Sequence, residues 1–194
     1  MTSIVEYRDT TDTSNGPSPV IWADCPVLEM MANPGKGVHY FDDFVRVTSD
    51  NVATIDSGLQ LLGDNLPTMP VDTIEGRLRL NTGATDNDQS FAGTNVDLCH
   101  ISDTGSEAAK LWFECRMKVD SIADMGLFIG LAAESGFAVN MLDDNSADIH
   151  DDGFHGIGFH VATAAPSTVR TIYHNNSGEA TAVQASAATL VADT

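Results

Sequence analysis

Apolar and polar side chains alternate residue by residue along Leu111–Asp120, and this is the clearest pattern in the chain. Because successive side chains of a strand point to opposite faces, the alternation predicts a β-strand with one apolar face and one mostly polar face. A helix would scatter the same residues around its circumference. A second apolar run, Met125–Ala133, follows a short polar link, so the two segments together predict an antiparallel hairpin at the centre of a sheet.

Glycines share one face of two segments that this pattern assigns to strands. In Met125–Ala133 they flank Phe128, and in Phe154–Val161 they alternate with large apolar residues. Glycine interrupts a strand where the sheet bends or another group approaches closely, so we expect a curved sheet. Its shallow concave side is expected to carry Gly126, Gly130, Gly156 and Gly158. The residues expected to be buried between two sheets are Phe113, Cys115, Leu127, Ile129, Leu131, Ile157 and Phe159.

Further short segments carry strand patterns, and clusters of Gly, Pro, Asn and Asp separate them. Many short strands with polar turns and without useful helical periodicity are typical of a β-sandwich or jelly roll. The sequence therefore predicts an all-β protein, an antiparallel β-sandwich, in which Asn175–Gly178 is a hairpin turn. The further strands expected are Val52–Ile55, Ile74–Leu80, Asn95–Ile101, Thr168–His174 and Ala180–Ala185. The further core positions expected are Tyr40, Phe41, Phe44, Ile74, Leu78 and Leu80.

The N-terminal region has a different character from the strand-rich remainder. Met1–Pro19 is polar and ends in two prolines beside a glycine, which predicts an extended arm. Val20–Met31 is too apolar for a free tail, and it either packs across its own domain or docks on a neighbouring subunit. We therefore expect an arm and docking segment over 1–37 and a sandwich domain over 38–194. The candidate interface residues are Ile21, Trp22, Val27, Leu28, Met30 and Met31.

Charge narrows the classes of partner. The chain has 28 acidic and 9 basic residues, a formal net charge of −19. Such a surface repels phosphate backbones and anionic lipids, which argues against nucleic acid and membranes as partners, and it favours solubility. We expect a salt-tolerant or marine solubility adaptation to account for most of this charge.

The cysteines and the N-terminus bear on where the protein is made. Cys25, Cys99 and Cys115 are too few and too scattered for a disulfide framework or a CxxC site. Met1–Thr13 has no basic start and no apolar run, so no signal peptide is predicted. No apolar stretch approaches the ~18 residues that a bilayer span needs. We expect synthesis in a cytoplasm, with reduced thiols.

Four segments together resemble a known family. Val38–Phe44, Arg77–Asp88, Leu111–Val119 and Gly126–Leu131 resemble the concanavalin A-like lectin/glucanase jelly roll, in the version found in virion structural proteins of tailed bacteriophages. The resemblance covers about Tyr40–Thr194. Those proteins carry an apolar-Gly-Phe strand after the hairpin, and Gly156-Ile-Gly-Phe159 fits it. They usually continue into two or more closing strands past the equivalent of Ala187–Thr194, so the resemblance implies that the sequence is a fragment or that another subunit completes the sheet.

The resemblance implies a non-enzymatic virion structural protein, most specifically a capsid decoration (cement) protein. Its partners would be the major capsid protein or neighbouring virion subunits, and a homo-oligomer is an open alternative. It would lie on the capsid exterior after synthesis in the host cytoplasm. The first alternative is a glycan-binding or adhesion module on a phage fibre or tail, and a glycoside hydrolase is a more distant one. Fold alone does not fix function.

No catalytic set is predicted. Glycan-cleaving members of this fold place two carboxylates on one strand face, whereas Glu114 is alone on its strand and precedes Arg116 on the same face. We therefore expect Glu114 in a surface ion pair. Nucleophile motifs and phosphate-binding glycine loops are missing from the sequence, and no cofactor is predicted. Phe128 is the one aromatic platform on the expected concave side, so weak or no affinity for simple sugars is expected.

No metal site is predicted either. The acidic loop Asp143–Gly153 offers oxygen ligands of the kind calcium prefers, but its spacing misses the EF-hand pattern, and Asp86 with Asp88 is weaker still. A spacing of five places consecutive members of the set His150, His155 and His160 on opposite strand faces, where they cannot form one zinc site. These three residues and His174 are expected at the surface and at strand edges.

Overall fold

The computed structural model of the chain describes residues 18, 20–42, 59–64, 78–83, 85, 88–94, 110–123, 125–133, 155–174 and 181–192. Within these ranges the regular structure is one short helix, a 3₁₀ turn at Pro34–Lys36 and six strands that pair antiparallel. The protein is therefore all-β, as the sequence predicts. The elements are α1 (Val27–Ala32), β1 (Leu59–Gly63), β2 (Ser90–Thr94), β3 (Leu127–Ala132), β4 (Gly156–Val161), β5 (Thr168–His174) and β6 (Thr181–Thr189).

The larger sheet has four strands in the order β3-β4-β5-β6. Between β4 and β5 the chain turns within six residues, where the Thr168 N–H donates to the Ala165 carbonyl at 2.9 Å. At the end of β3 the Ala133 N–H donates to the His155 carbonyl at 2.9 Å, so the long connection 134–154 begins and ends at adjacent points. Register shifts near Thr171 interrupt the pairing of β5 with β6. Among the strands that the structure describes, each member of this sheet thus pairs with the next one in sequence.

Several predicted strands are confirmed. Thr168–His174 is β5 with the same bounds. Met125–Ala133 contains β3, and Phe154–Val161 contains β4. The predicted strand Ala180–Ala185 overlaps β6, which pairs antiparallel with β5, whereas the predicted turn Asn175–Gly178 lies outside the described residues. These segments combine alternating apolar positions with turn residues at both ends, and both signals act locally.

The predicted central hairpin is wrong. Residues 111–119 have no strand assignment, and β3 pairs with β4 instead of with this segment. Leu111, Cys115 and Met117, which were expected to be on a buried face, are exposed. Alternation predicts an extended backbone with two faces, but it does not identify the partner that completes the ladder. Here the pairing partner is β4, whose Phe159 and Ile157 lie opposite apolar residues of β3.

The larger sheet has a glycine face and an apolar face. Residues directly opposite each other across a ladder lie on the same face, so the register assigns each side chain. On the glycine face His160, Ile172 and His174 are buried, whereas on the apolar face Val161 and Val169 are buried and Ile157, Phe159 and Tyr173 are exposed. The glycine face carries Phe128, Gly130, Gly158, His160, Arg170, Ile172 and His174. The apolar face carries Leu127, Ile129, Leu131, Ile157, Phe159, Val161, Val169, Thr171 and Tyr173.

This arrangement corrects two expectations. Ile157 and Phe159 were expected in the core, yet both are exposed, and the glycine face expected to form an open concave side carries the buried Ile172. His160 and His174 were expected at the surface and strand edges, yet both are buried. Alternation separates the two faces of a strand, but the rest of the chain decides which face is covered.

Gly130 and Gly158 lie directly opposite each other where β3 and β4 approach closely. A Cβ atom on Gly130 would lie 2.7 Å from the Gly158 Cα, and one on Gly158 would lie 2.8 Å from the Gly130 Cα. Carbon atoms do not approach this closely without repulsion, so any larger residue would force the strands apart. The glycines therefore fix the spacing of these two strands.

The smaller sheet is the antiparallel pair β1-β2, which was not among the predicted strands. Leu59 and Leu61 are buried there, with Leu78 and Ala92 packed against them. The expected inward orientation of Leu80 is wrong, because that residue is exposed. Tyr40 and Phe41, expected to anchor the core, are exposed as well. The predictions for Phe44, Val52–Ile55, Ile74 and Asn95–Ile101 lie outside the described residues.

The chain divides into two compact units. One combines 1–40 with 99–117, and the other combines 41–98 with 118–194. The first unit thus contains a segment distant in sequence from the N-terminal region, for which the sequence carries no signal. The expected arm over 1–37 and sandwich domain over 38–194 stay predictions.

Candidate attachment surface

A turn and a short helix build the candidate interface segment. The Trp22 N–H donates to the Ser18 carbonyl at 3.1 Å, and the chain then turns into α1. The helix ends at Asn33, whose side chain accepts a hydrogen bond from the Gly35 N–H at 3.2 Å. Pro34 follows at the start of the 3₁₀ turn, where its missing N–H costs no hydrogen bond. These local bonds hold α1 as a single six-residue element.

The two tryptophans of the chain each bind a carboxylate on the opposite segment. Trp22 Nε1 donates to Glu114 Oε2 at 2.6 Å, and Trp112 Nε1 donates to Asp24 Oδ1 at 3.0 Å. The two segments therefore exchange the same kind of bond in both directions. We call this set the Trp clasp, and it consists of Ser18, Trp22, Asp24, Lys110, Trp112 and Glu114.

Further donors complete the Trp clasp. The Ser18 N–H lies 3.1 Å and 2.9 Å from the two Glu114 oxygens, and Lys110 Nζ lies 3.2 Å from Asp24 Oδ2. The same ammonium lies 5.8 Å from the centroid of the Trp112 ring. Bonds from N–H groups to carboxylates are stronger than neutral ones, although exposure to water weakens the ion pair. The hydrogen bond from Trp112, and then Lys110, hold the pKa of Asp24 below its ordinary value.

The structure places the six candidate interface residues in two groups. Leu28 is 73% exposed and Met31 is 65% exposed, while Trp22 is half-buried in the Trp clasp. Met30 packs over Gly37, where an added Cβ would lie 3.1 Å from the Met30 Cγ. The exposed group is Ile21, Leu28 and Met31, and the half-buried group is Trp22, Val27 and Met30.

These positions bear on the two alternatives for Val20–Met31. The Trp clasp shows that part of this segment contacts its own chain. No residue of α1 is buried, so Leu28 and Met31 are open to another molecule. The docking of these residues on a neighbouring subunit stays a prediction.

The carboxylate of Glu114 has a structural use in the Trp clasp. Its oxygens accept hydrogen bonds from Ser18 and Trp22. The sequence pattern predicted a surface ion pair for Glu114, because the pattern shows only the neighbours of Glu114 on its own segment. The residues that bind Glu114 are more than 90 positions away, so the local spacing of residues cannot identify this arrangement. Phe128, the expected sugar platform, is half-buried on the glycine face.

Among the residues that the structure describes, no group of three or more His, Cys, Asp and Glu side chains could hold a metal ion. The acidic loop Asp143–Gly153 and Asp86 lie outside those residues. Cys25 and Cys115 are free thiols. Desolvation raises the pKa of both, and the Asp24 charge adds to the effect at Cys25. Cys115 as a whole residue is nevertheless exposed, so neighbouring atoms displace part of the water around its sulfur without burying the side chain.

Within the described ranges, the structure contains no helix of the length and hydrophobicity needed to cross a membrane. Comparisons of the chain with protein-family models, with curated protein sequences and with solved structures give no match.

Proposed function

We propose that the chain is a non-enzymatic structural protein that attaches to a larger particle through the apolar residues of its N-terminal segment. In its most specific form, the proposal is a capsid decoration (cement) protein of a tailed bacteriophage, built as a jelly-roll sandwich. The major capsid protein or a neighbouring virion subunit would be its partner on the capsid exterior. The viral role depends on the resemblance of four sequence segments, and the attachment role depends on the structure.

The observation that carries the proposal is the contrast between the two ends of the N-terminal segment. Ser18, Trp22 and Asp24 are held by the Trp clasp, whereas Leu28 and Met31 extend into solvent from α1. An interface residue on a fixed segment loses less conformational entropy on binding than one on a free tail. Apolar and Met side chains on such a segment are therefore suited to be binding anchors.

Charge supports an apolar attachment. A chain with a net charge of −19 gains little electrostatic attraction to a particle surface that is also acidic. The free energy of attachment must then come from buried apolar area, to which each large side chain contributes about 1.5–3 kcal/mol when it becomes fully buried. Leu28 and Met31 together can supply several kcal/mol on this scale.

Point substitutions on α1 test the proposal. Leu28→Glu and Met31→Glu change exposed residues, so both variants are expected to fold, while a buried carboxylate at the interface weakens binding by about 10-fold or more. Co-sedimentation with intact particles measures the bound fraction, and thermal unfolding checks the fold. Val191→Glu is the matched control, because it adds the same charge at a residue that is 79% exposed outside α1.

Full occupancy by both α1 variants would contradict the proposal. Deletion of Met1–Met31 is less informative, because it also removes Trp22 and Asp24 and so dismantles the Trp clasp. Saturable glycan binding by the wild-type protein, abolished by Phe128→Ala, would instead favour the adhesion module.

A further inference from the structure

The unit that contains the Trp clasp has no buried residue in the part of it that the structure describes. Residues 18, 20–40 and 110–117 are exposed or half-buried, and the described residues that are buried all belong to the other unit. Burial of apolar side chains is the main term that holds a segment against the rest of a protein. The position of the N-terminal segment therefore depends to a large extent on the Trp clasp.

The two indole bonds of the Trp clasp are arranged so that they form and break together. Trp22 donates to Glu114, and Asp24 accepts from Trp112, so each segment contributes one indole and one carboxylate. Trp22 and Asp24 are two positions apart, which is at most ~7 Å of extended chain. The same spacing separates Trp112 from Glu114. A movement that carries Trp22 away from its acceptor therefore also displaces Asp24 from Trp112.

We propose that the segment carrying Ser18, Trp22 and Asp24 opens and closes on residues 110–114 as one unit, while the larger sheet stays folded. Segments with few buried apolar contacts and with solvent-exposed hydrogen bonds open locally at a lower free-energy cost than global unfolding. All the bonds of the Trp clasp are exposed. Water replaces each of them when the segment opens, so the net cost of breaking them is small.

The consequence of this opening for attachment rests on the proposed function. Leu28 and Met31 follow the clasped residues in the chain, and opening leaves them on a free tail. The apparent affinity for a particle then falls with the closed fraction of the molecules. The opening itself is a property of the free chain, so it is measured without particles, and its failure is distinct from a failure of attachment.

Proton exchange at the two indole N–H groups tests the proposal. Trp22 and Trp112 are the only tryptophans, so the NMR spectrum of the full chain reports each half of the Trp clasp by one indole signal. Glu114→Ala removes the acceptor of Trp22 and leaves Asp24, the acceptor of Trp112, in place. Exchange with D₂O should nevertheless become faster at both indoles, by about 10-fold or more. Exchange of the β5 amides should not change.

Two further variants complete the test. Asp24→Ala is the reciprocal change, and it should accelerate exchange at Trp22, whose own acceptor is intact. Glu29→Ala is the matched control, because it removes the same charge on α1, where Glu29 lies 3.9 Å from Lys36 outside the Trp clasp. It should leave both indole rates unchanged.

Two outcomes would overturn the proposal. Acceleration confined to the indole that lost its acceptor, in both Glu114→Ala and Asp24→Ala, would show two separate contacts. Acceleration of the β5 amides together with the indoles would show that the segment is released only when the sheet unfolds.

Discussion

The two faces of the larger sheet are buried to different extents, and hydrophobicity does not explain the difference. The glycine face contains Gly130 and Gly158, yet Ile172 and two histidines on it are buried. On the apolar face Ile157, Phe159 and Tyr173 are exposed, whereas Val161 and Val169 are buried. The two buried valines lie opposite each other where β4 ends and β5 begins. The exposure of a side chain therefore depends on its position along the strand and on the rest of the chain, and not on the hydrophobicity of its face alone.

The largest loss of stability should come from a buried residue of the glycine face. Ile172→Ala removes a buried side chain and leaves a cavity, which should lower the free energy of unfolding by about 2–5 kcal/mol. Ile157→Ala makes the same chemical change at a residue that is 41% exposed and should cost clearly less. Urea denaturation measures both values. Equal losses, or a larger loss at Ile157, would show that the assignment of the two faces is wrong.

A smaller effect is expected where the two strands approach at the glycine pair. Gly158→Ala places a Cβ against the backbone of β3, and the resulting overpacking should cost about 1–3 kcal/mol. Gly35→Ala is the control, because a Cβ there lies 3.4 Å from Asn33 Oδ1, an ordinary contact distance. Since one separation of the strands relieves both clashes, the Gly130→Ala, Gly158→Ala double variant should cost less than the sum of the single variants. Additive losses would argue against a shared close contact.

The smallest effect is expected at the Trp clasp, whose contacts are polar and exposed. Folding lowers the pKa of Asp24 from its ordinary value of 3.8, so the charged carboxylate stabilises the folded state. This contribution is fully present above the ordinary value and is lost as the pH falls through the lower, folded-state pKa. In a Trp22→Phe variant, Trp112 is the sole indole, and its fluorescence should report this titration.

Adding Asp24→Asn to the Trp22→Phe background provides the control for the Trp clasp. The fluorescence change below the ordinary pKa of an aspartate should disappear in this double variant, because its amide does not titrate. An unchanged titration would assign the signal to another carboxylate and contradict the contact between Asp24 and Trp112. No loss of global stability is needed for this outcome.

Local patterns predicted part of the fold and none of the long-range contacts. The bounds of β5 follow from alternation and turn residues, which are properties of neighbouring positions. The same alternation in Leu111–Asp120 predicted a strand that the structure does not contain. This segment contacts the N-terminal segment through the side chains of Trp112 and Glu114, and not through a ladder of backbone hydrogen bonds. The Trp clasp could not be predicted because its partners are far apart in sequence. The candidate residues Leu28 and Met31 were identifiable from composition, but their exposure was not.

The hydrogen bond between Ala133 and His155 has a consequence for the register of the larger sheet. It extends the pairing of β3 with β4 one step beyond Ala132 and Gly156, the last pair of the ladder. A slip of β4 by one residue would break this bond, separate Gly130 from Gly158 and move every β4 side chain to the other face. The two ends of the β3–β4 ladder therefore act together as a check on one alignment.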